Sequence, residues 1–378
     1  MIDELIDMMG LTNLVLVIVG VALLIVVLLL MSYFRTLVAI SNFTFPNAKF
    51  RAHGIHFIEK EKVEPIVESR SINELYQAVR ETGYELPKEE TGDIDKVERR
   101  LERNNVGYMK KAYRLSPLET KPFVEAWLVR YDVKMAKRAL KFIARGGESE
   151  QLKSDLVPVR IIDEDIIDDL SSARNLQEAV TILKETEFEK VLGKEEWGDD
   201  FFKLDVELDK FAFERLRKAV TNVESEQRTP VKYFFGRYTD LLNLKMVLRG
   251  VREGIDQELM KDYLLPSGRE LEDWKLNQML ESNNLEEALV ELEGTSFEDI
   301  RKEAASKSHF EIERYLDDGL LKMVSEVMSQ QILTVGPLLK FMIGKEIELR
   351  NLKILVRGLD EGLEPDKIQN MLVLEEYG

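Results

Sequence analysis

The N-terminal stretch and the rest of the chain follow different hydrophobic rhythms. From Leu11 to Phe34 no residue is ionisable, and the run LVLVIVGVALLIVVLLLM at 14–31 is apolar on every face. A surface helix of a globular domain keeps a polar side. At about 1.5 Å per residue, 24 such residues reach roughly 36 Å, enough to cross a hydrocarbon layer of about 30 Å. The pattern predicts one membrane-spanning helix. Asp3, Glu4 and Asp7 precede it and Tyr33, Phe34 and Arg35 follow, whereas a cleaved signal peptide carries a basic start and a small-residue cleavage site. Arg35, Lys49 and Arg51 lie just beyond the run. The positive-inside rule then places the N-terminus outside and the body on the cytoplasmic side of the cell membrane, as a single-pass N-terminal anchor.

Past residue 40 the apolar positions recur every three or four residues, as at Leu241, Leu244, Val247 and Leu248, which is the period of an amphipathic helix. Sustained period-two alternation is missing from the sequence, so the expected class is all-α. The same stretch occurs three times. Trp127–Gly146 (WLVRYDVKMAKRALKFIARG), Phe235–Gly254 (FGRYTDLLNLKMVLRGVREG) and Ile343–Gly362 (IGKEIELRNLKILVRGLDEG) align without a gap, with Asp132, Asp240 and Glu348 each 108 residues apart. A second set, beginning at Ser71, Asn175 and Asn284, keeps the same order and aligns Tyr84, Phe188 and Phe297. Thr229-Pro230, and Ser116-Pro117 with Glu119, read as helix starts. Gly146, Gly254 and Gly362 read as left-handed C-terminal caps. The chain divides into an anchor, 1–40, and three helical repeats, 41–148, 149–256 and 257–378. Periodicity alone permits either an open arc of lobes or closure around a pseudo-threefold axis.

Charge and composition narrow the function. The net charge of −17, from 53 Lys and Arg against 70 Asp and Glu, disfavours a nucleic-acid partner. With no Cys, disulfides, thiolate metal sites and cysteine nucleophiles are excluded. The sequence carries no Gly-rich phosphate loop, no Gly-x-Ser-x-Gly elbow and no His-Glu-x-x-His pair. No catalytic residue, cofactor, metal site or small-molecule substrate is expected. Of the three histidines, His53 and His56 are spaced to share a helical face, and His309 stands alone. Asp163-Glu164-Asp165 and Asp168-Asp169 read as a solvated helix start. The basic run Arg99, Arg100, Arg103, Lys110, Lys111 and Arg114 reads as an exposed face paired with Glu98 and Glu102, with acidic lipid headgroups or an acidic partner surface as the alternative.

The helices Arg237-x-x-Asp240-x-x-Asn243-Leu-Lys-x-Val-Leu-Arg249 and Lys345-x-x-Glu348-x-x-Asn351-Leu-Lys-x-Leu-Val-Arg357 resemble the signature of the C subunit of archaeal A-type ATP synthases, related to the d subunit of V-type enzymes. Phe45-Pro-Asn47-Ala48-Lys49-Phe-Arg51-Ala52 is similar to the segment that opens the soluble members of that family. The resemblance runs from about residue 42 to the C-terminus. It departs from the pattern at Met135 and Lys141 in the first copy, and in the membrane segment, which typical members lack.

The resemblance implies a funnel of three helical lobes around a pseudo-threefold axis, standing on the membrane proteolipid ring. Its wide end would receive the central shaft, formed by the D and F subunits. It would be a non-catalytic socket that transmits torque during ion-driven ATP synthesis. In such a rotor the anchor is expected inside the lumen of the ring, clear of the stator. The alternative is a membrane-anchored scaffold outside any ATPase. A membrane-tethered enzyme relying on His53 or an acidic cluster ranks behind both. For the signature itself, Arg237, Asp240 and Asn243 share one helical face while Arg249 lies opposite. The carboxylate and amide are expected to satisfy each other or nearby backbone where lobes meet, with direct contact to the shaft as the other reading.

Overall fold

The structure, a computed structural model, describes residues 2–69, 72–86, 93–193, 201–223, 225–266, 268–304 and 309–375. It is all-helical. A first helix, α1 (Ile2–His53), is followed by α2 (Lys60–Val67), α3 (Ile72–Glu81), α4 (Ile94–Leu115) and α5 (Lys121–Ala144). Next come α6 (Ser149–Asp155), α7 (Glu164–Ser172), α8 (Leu176–Lys184), α9 (Glu189–Leu192), α10 (Phe201–Thr221) and α11 (Ser225–Glu253). The same succession recurs as α12 (Gln257–Tyr263), α13 (Asp273–Glu281), α14 (Leu285–Val290), α15 (Glu298–Ala304), α16 (His309–Gln330) and α17 (Gly336–Asp360), and α18 (Pro365–Met371) comes last. The only β pairing among the described residues is an isolated parallel bridge between Glu59 and Glu375.

Local chemistry explains the repeated boundaries. Asn175 and Asn284 are N-caps with nearly identical backbone (φ −155, ψ 170 and φ −156, ψ 169), and each accepts the amide of the residue three positions on at 2.9 Å. Ser71 lies outside the described residues. Gly146, Gly254 and Gly362 have φ of 71°, 63° and 64°, the left-handed cap that a side chain would strain. Two expected starts shift. α11 begins at Ser225, ahead of Thr229-Pro230, with Pro230 inside its first turns. Ser116 caps the end of α4, its hydroxyl donating back to the Ala112 carbonyl at 2.7 Å, and α5 starts only at Lys121. Glu119 is therefore free of any capping box and accepts instead from Asn42 at 2.8 Å.

The six long helices that follow α1 make a closed cycle of contacts. α4 packs on α5, α5 on α10, α10 on α11, α11 on α16, α16 on α17, and α17 returns to α4. One large apolar core runs through this cycle. A second core is assembled from both ends of the helical body: Val63, Leu75 and Leu101 pack with Leu352, Leu355 and Ile368. The sequence repeat and the packing unit are thus offset, because the end of α17 and α18 complete the N-terminal group of helices.

α1 is one helix across the anchor boundary at 40/41. Its most apolar window is long enough to cross a membrane and has no residue buried against the rest of the chain. Burial starts at Ala39 and deepens at Phe43 and Phe50. From Arg35 to Ala39 is four residues, about 6 Å of helix. The docked end is fixed by Asn47 donating to the Thr334 carbonyl at 2.9 Å, Arg51 to the Ile332 carbonyl at 3.3 Å, and Phe50 stacked on Phe341 at 5.1 Å.

Candidate functional site

The three signature acids are buried at equivalent places, and each ties down the backbone that enters another group of helices. Asp132, on α5, accepts from the amides of Arg160, Ile161 and Ile162 at 3.0, 2.8 and 2.9 Å. Asp240, on α11, accepts from Arg269, Glu270 and Leu271 at 2.9, 2.9 and 3.0 Å. Glu348, on α17, reaches back to the N-terminal region instead, accepting from His56 at 2.6 Å and Phe57 at 3.0 Å. Asp240 is served on both oxygens, whereas all three donors of Asp132 fall on Oδ1 and its Oδ2 is buried without a partner. Burial pushes the Asp132 carboxyl up to about 6 against the pull of those amides.

The amides follow the same plan. Asn243 donates to the Leu265 carbonyl at 3.0 Å and accepts its N–H at 2.9 Å. Asn351 does so with Val373, at 2.7 and 3.0 Å, and also donates to the Phe57 carbonyl at 2.7 Å. Met135, at the first position, offers only a thioether to the Val157 amide at 3.3 Å. Acid and amide therefore satisfy neighbouring backbone and not each other.

The flanking cations differ by copy. Lys345 is fully buried, bonded to Glu348 at 2.5 Å and lying over the Tyr108 ring at 4.2 Å, while Tyr84 donates to the same carboxylate at 2.5 Å. Arg237 is mostly buried and pairs with Glu270 at 2.6 Å. Arg249 and Arg357 are exposed on the opposite face, Arg249 paired with Glu253 and Arg357 with Glu98. Sequence reasoning missed Gly268, where an added Cβ would fall 2.2 Å from Asp240 Oδ1. Nothing short of the fold points to that approach.

Equivalent positions of the three copies meet through Arg130. Arg130, Tyr238 and Glu346 are 108 residues apart in turn. The Arg130 guanidinium pairs with Glu346 at 3.2 Å and lies 5.2 Å from the Tyr238 ring centre, with Trp127 and Tyr131 also donating to Glu346 at 2.9 and 2.7 Å. Lys137, Lys245 and Lys353, another equivalent trio, each bridge to a neighbouring long helix: Asp205 on α10, Asp317 on α16, and Glu102 on α4.

Among the other sequence candidates, the acidic helix start falls where expected and the histidine and basic-face readings do not. α1 stops at His53 and Gly54 turns the chain at φ 59°, so His53 and His56 do not share a helical face. The side chain of His309 lies outside the described residues. No cluster of three His, Asp or Glu that would hold a metal ion occurs among the described residues. Asp163 caps α7 through the Ile166 amide at 3.0 Å and Asp168 pairs with Lys153 at 2.7 Å. Glu98 and Glu102 turn away from the arginines of their own helix toward α5 and α17. Glu102 gathers Lys134, Arg138 and Lys353 at 2.9, 2.9 and 2.6 Å. Burial pushes its carboxyl up, and the three cations outweigh burial and bring it down to about 2.

The family model described as ATP synthase (C/AC39) subunit matches residues 46–371, nearly the whole helical body. The chain belongs to this family. Named relatives agree along most of the chain. The A-type ATP synthase C subunit of Methanothermobacter thermautotrophicus is 29% identical, over 89% of this chain and 89% of its own. Its counterpart in Methanocaldococcus jannaschii is 27% identical over 90% and 88%. The match to the counterpart in Methanobrevibacter smithii, 26% identical, takes in 98% of this chain and 99% of the other. That leaves about eight residues unmatched here, so the alignment extends into the apolar part of α1. The protein is an ATP synthase subunit, all-helical, with one N-terminal helix apolar and long enough to enter a membrane.

Proposed function

We propose that this ATP synthase subunit is a non-catalytic mechanical coupling: a funnel of three helical lobes around a pseudo-threefold axis. It joins the central shaft, formed by the D and F subunits, to the proteolipid ring during ion-driven ATP synthesis. The observation that carries the reading is the meeting of Arg130, Tyr238 and Glu346. Equivalent positions of a tandem repeat contact each other only near the axis that relates the copies. Together with the closed helix cycle, this favours a rigid ring over an open arc. A part that transmits torque needs such closure.

The two ends of the funnel differ. At one, α1 leaves the body beside the 116–120 and 331–335 loops, whose Leu118, Ile332 and Leu333 are exposed. This end is assigned to the membrane and the ring, with the body on the cytoplasmic side. Because α1 runs from span to body as one helix, a rotating body carries its span with it. Such a span must lie within the ring, clear of the stator. The alternative scaffold reading predicts different company. Purification through a C-terminal tag from native membranes in mild detergent should bring down D, F, the proteolipid and the catalytic subunits. Recovery of none of them, with the ATP synthase intact in the same membranes, overturns the socket. Deletion of residues 1–34 should loosen attachment to the ring, and residues 15–30 should cross-link to proteolipid; cross-links to the membrane-embedded stator refute the lumen placement.

A further inference from the structure

In a ring of three related lobes, positions that repeat build the ring, and positions that do not repeat are free to recognise something asymmetric. The end of α5 away from α1 carries the largest such difference. Residues 134–144 of α5 and its C-cap Arg145 lie some 20–35 Å along the helix from its start beside the 116–120 loop. There Lys134, Lys137, Arg138, Lys141 and Arg145 line a cavity of about 520 Å³. Where α5 has Arg138, α11 has Met246 and α17 has Ile354; where α5 approaches Arg145, the others have Glu253 and Glu361. One wall is basic in a chain whose net charge is −17.

The basic groups are only partly neutralised. Glu102 answers Lys134, Arg138 and Lys353, the last also 3.8 Å from Glu98, while Asp205 answers Lys137 and Lys141 and Asp209, in the wall of the cavity, pairs with Lys137 as well. Lys134 and Lys141 are half exposed. A second cavity of about 350 Å³ shares Arg130, Val133 and Asp209 with the first and is otherwise lined mainly by apolar groups, among them Phe213, Leu242 and Met246. A helix about 10 Å across occupies roughly 420 Å³ per turn, so each cavity matches about one turn. Arg130, at the central contact, closes the floor of both.

We propose that this paired cavity seats the end of a partner helix that is acidic on one face and apolar on the other, its carboxylates against α5 and its apolar side against Leu242 and Met246. Resting on the socket reading, the partner is the foot of the shaft, and the α5 wall fixes its rotational register. Charge complementarity selects an acidic helix over a basic or uniformly apolar one, and the one-sided wall selects a single orientation out of three.

Two measurements separate this proposal from the socket reading. In tagged complexes, Lys141→Gln with Arg145→Gln should lower retention of D and F at 150 mM salt at least fivefold while the proteolipid stays bound. Arg249→Gln, at the position equivalent to Lys141, should leave retention unchanged. Equal losses for both variants, or none, overturn the proposal. Independently, the full-length protein in detergent is titrated with a helical peptide bearing Glu on one face and Leu on the other. Binding should weaken tenfold or more in the double variant and on raising salt, with thermal melting unchanged. A peptide that binds both proteins alike, or neither, refutes the cavity assignment even if D and F co-purify.

Discussion

The junction between α11 and the segment at 265–271 and the junction between α17 and the segment at 56–58 make the same bonds under different constraints. In the first, Asp240 reaches amides 29 to 31 residues ahead. In the second, Glu348 reaches amides 291 and 292 residues behind. A loop about tenfold longer costs about 2 kcal/mol more to close. The closing junction has extra groups of that size: the buried Lys345, the Tyr84 hydroxyl, the added bond from Asn351 to Phe57, and the amide of Glu375 donating to the Ile58 carbonyl at 2.6 Å. Where covalent continuity is missing, side chains take its place.

The strongest way to break that equivalence is to remove charge at the closing junction. Glu348→Gln keeps the shape but leaves Lys345 buried without its counterion, and loss of one partner from a buried pair costs about 3–5 kcal/mol. Denaturant unfolding should show that loss, with amide exchange at residues 55–58 accelerating before the rest. A cost below about 1 kcal/mol would mean that the ends are held by apolar packing alone. Asp240→Asn tests the internal junction. Both oxygens of Asp240 accept backbone amides, so an amide group must face at least one donor, at about 2 kcal/mol. A cost as large as that of Glu348→Gln would remove the distinction between the two junctions.

Much of this was legible in the chain. The 108-residue spacing, the glycine caps and the shared face of Arg237, Asp240 and Asn243 are local signals, set by helix period and backbone conformation. Other features required tertiary placement. That Glu348 turns back to His56 follows from closure, which no periodicity encodes. Glu102 looked like a partner for its own helix because sequence spacing reveals only neighbours three and four residues away. Its partners, Arg138 and Lys353, are 36 and 251 residues distant. Ser116 failed as a helix start for a related reason: its hydroxyl is equally able to bond back to a carbonyl of the preceding turn.

The first junction offers the smallest effect and the sharpest contrast. Asp132 is buried with one oxygen unpartnered, and its carboxyl stands at about 6 against an ordinary 3.8. A raised acid is neutral in the folded chain while already ionised in the unfolded one. Its stabilisation is complete below pH 3.8, declines as pH rises from there, and is gone above about 6. The full difference is at most about 3 kcal/mol. Asp132→Asn lets the amide oxygen keep the three backbone donors and removes the ionisation. Its stability should stay within about 1 kcal/mol of the parent at pH 7, offset only by the unpartnered amide nitrogen. Over pH 4–6 the parent should lose stability relative to the variant, the opposite slope to that from Glu102, whose contribution is lost as pH falls from 4.5 toward 2. Parallel pH profiles for parent and variant would show Asp132 to be ionised throughout. Burial also raises the Asp240 carboxyl against its amides, so the first and second junctions share the direction of the shift and differ in which oxygens the amides serve.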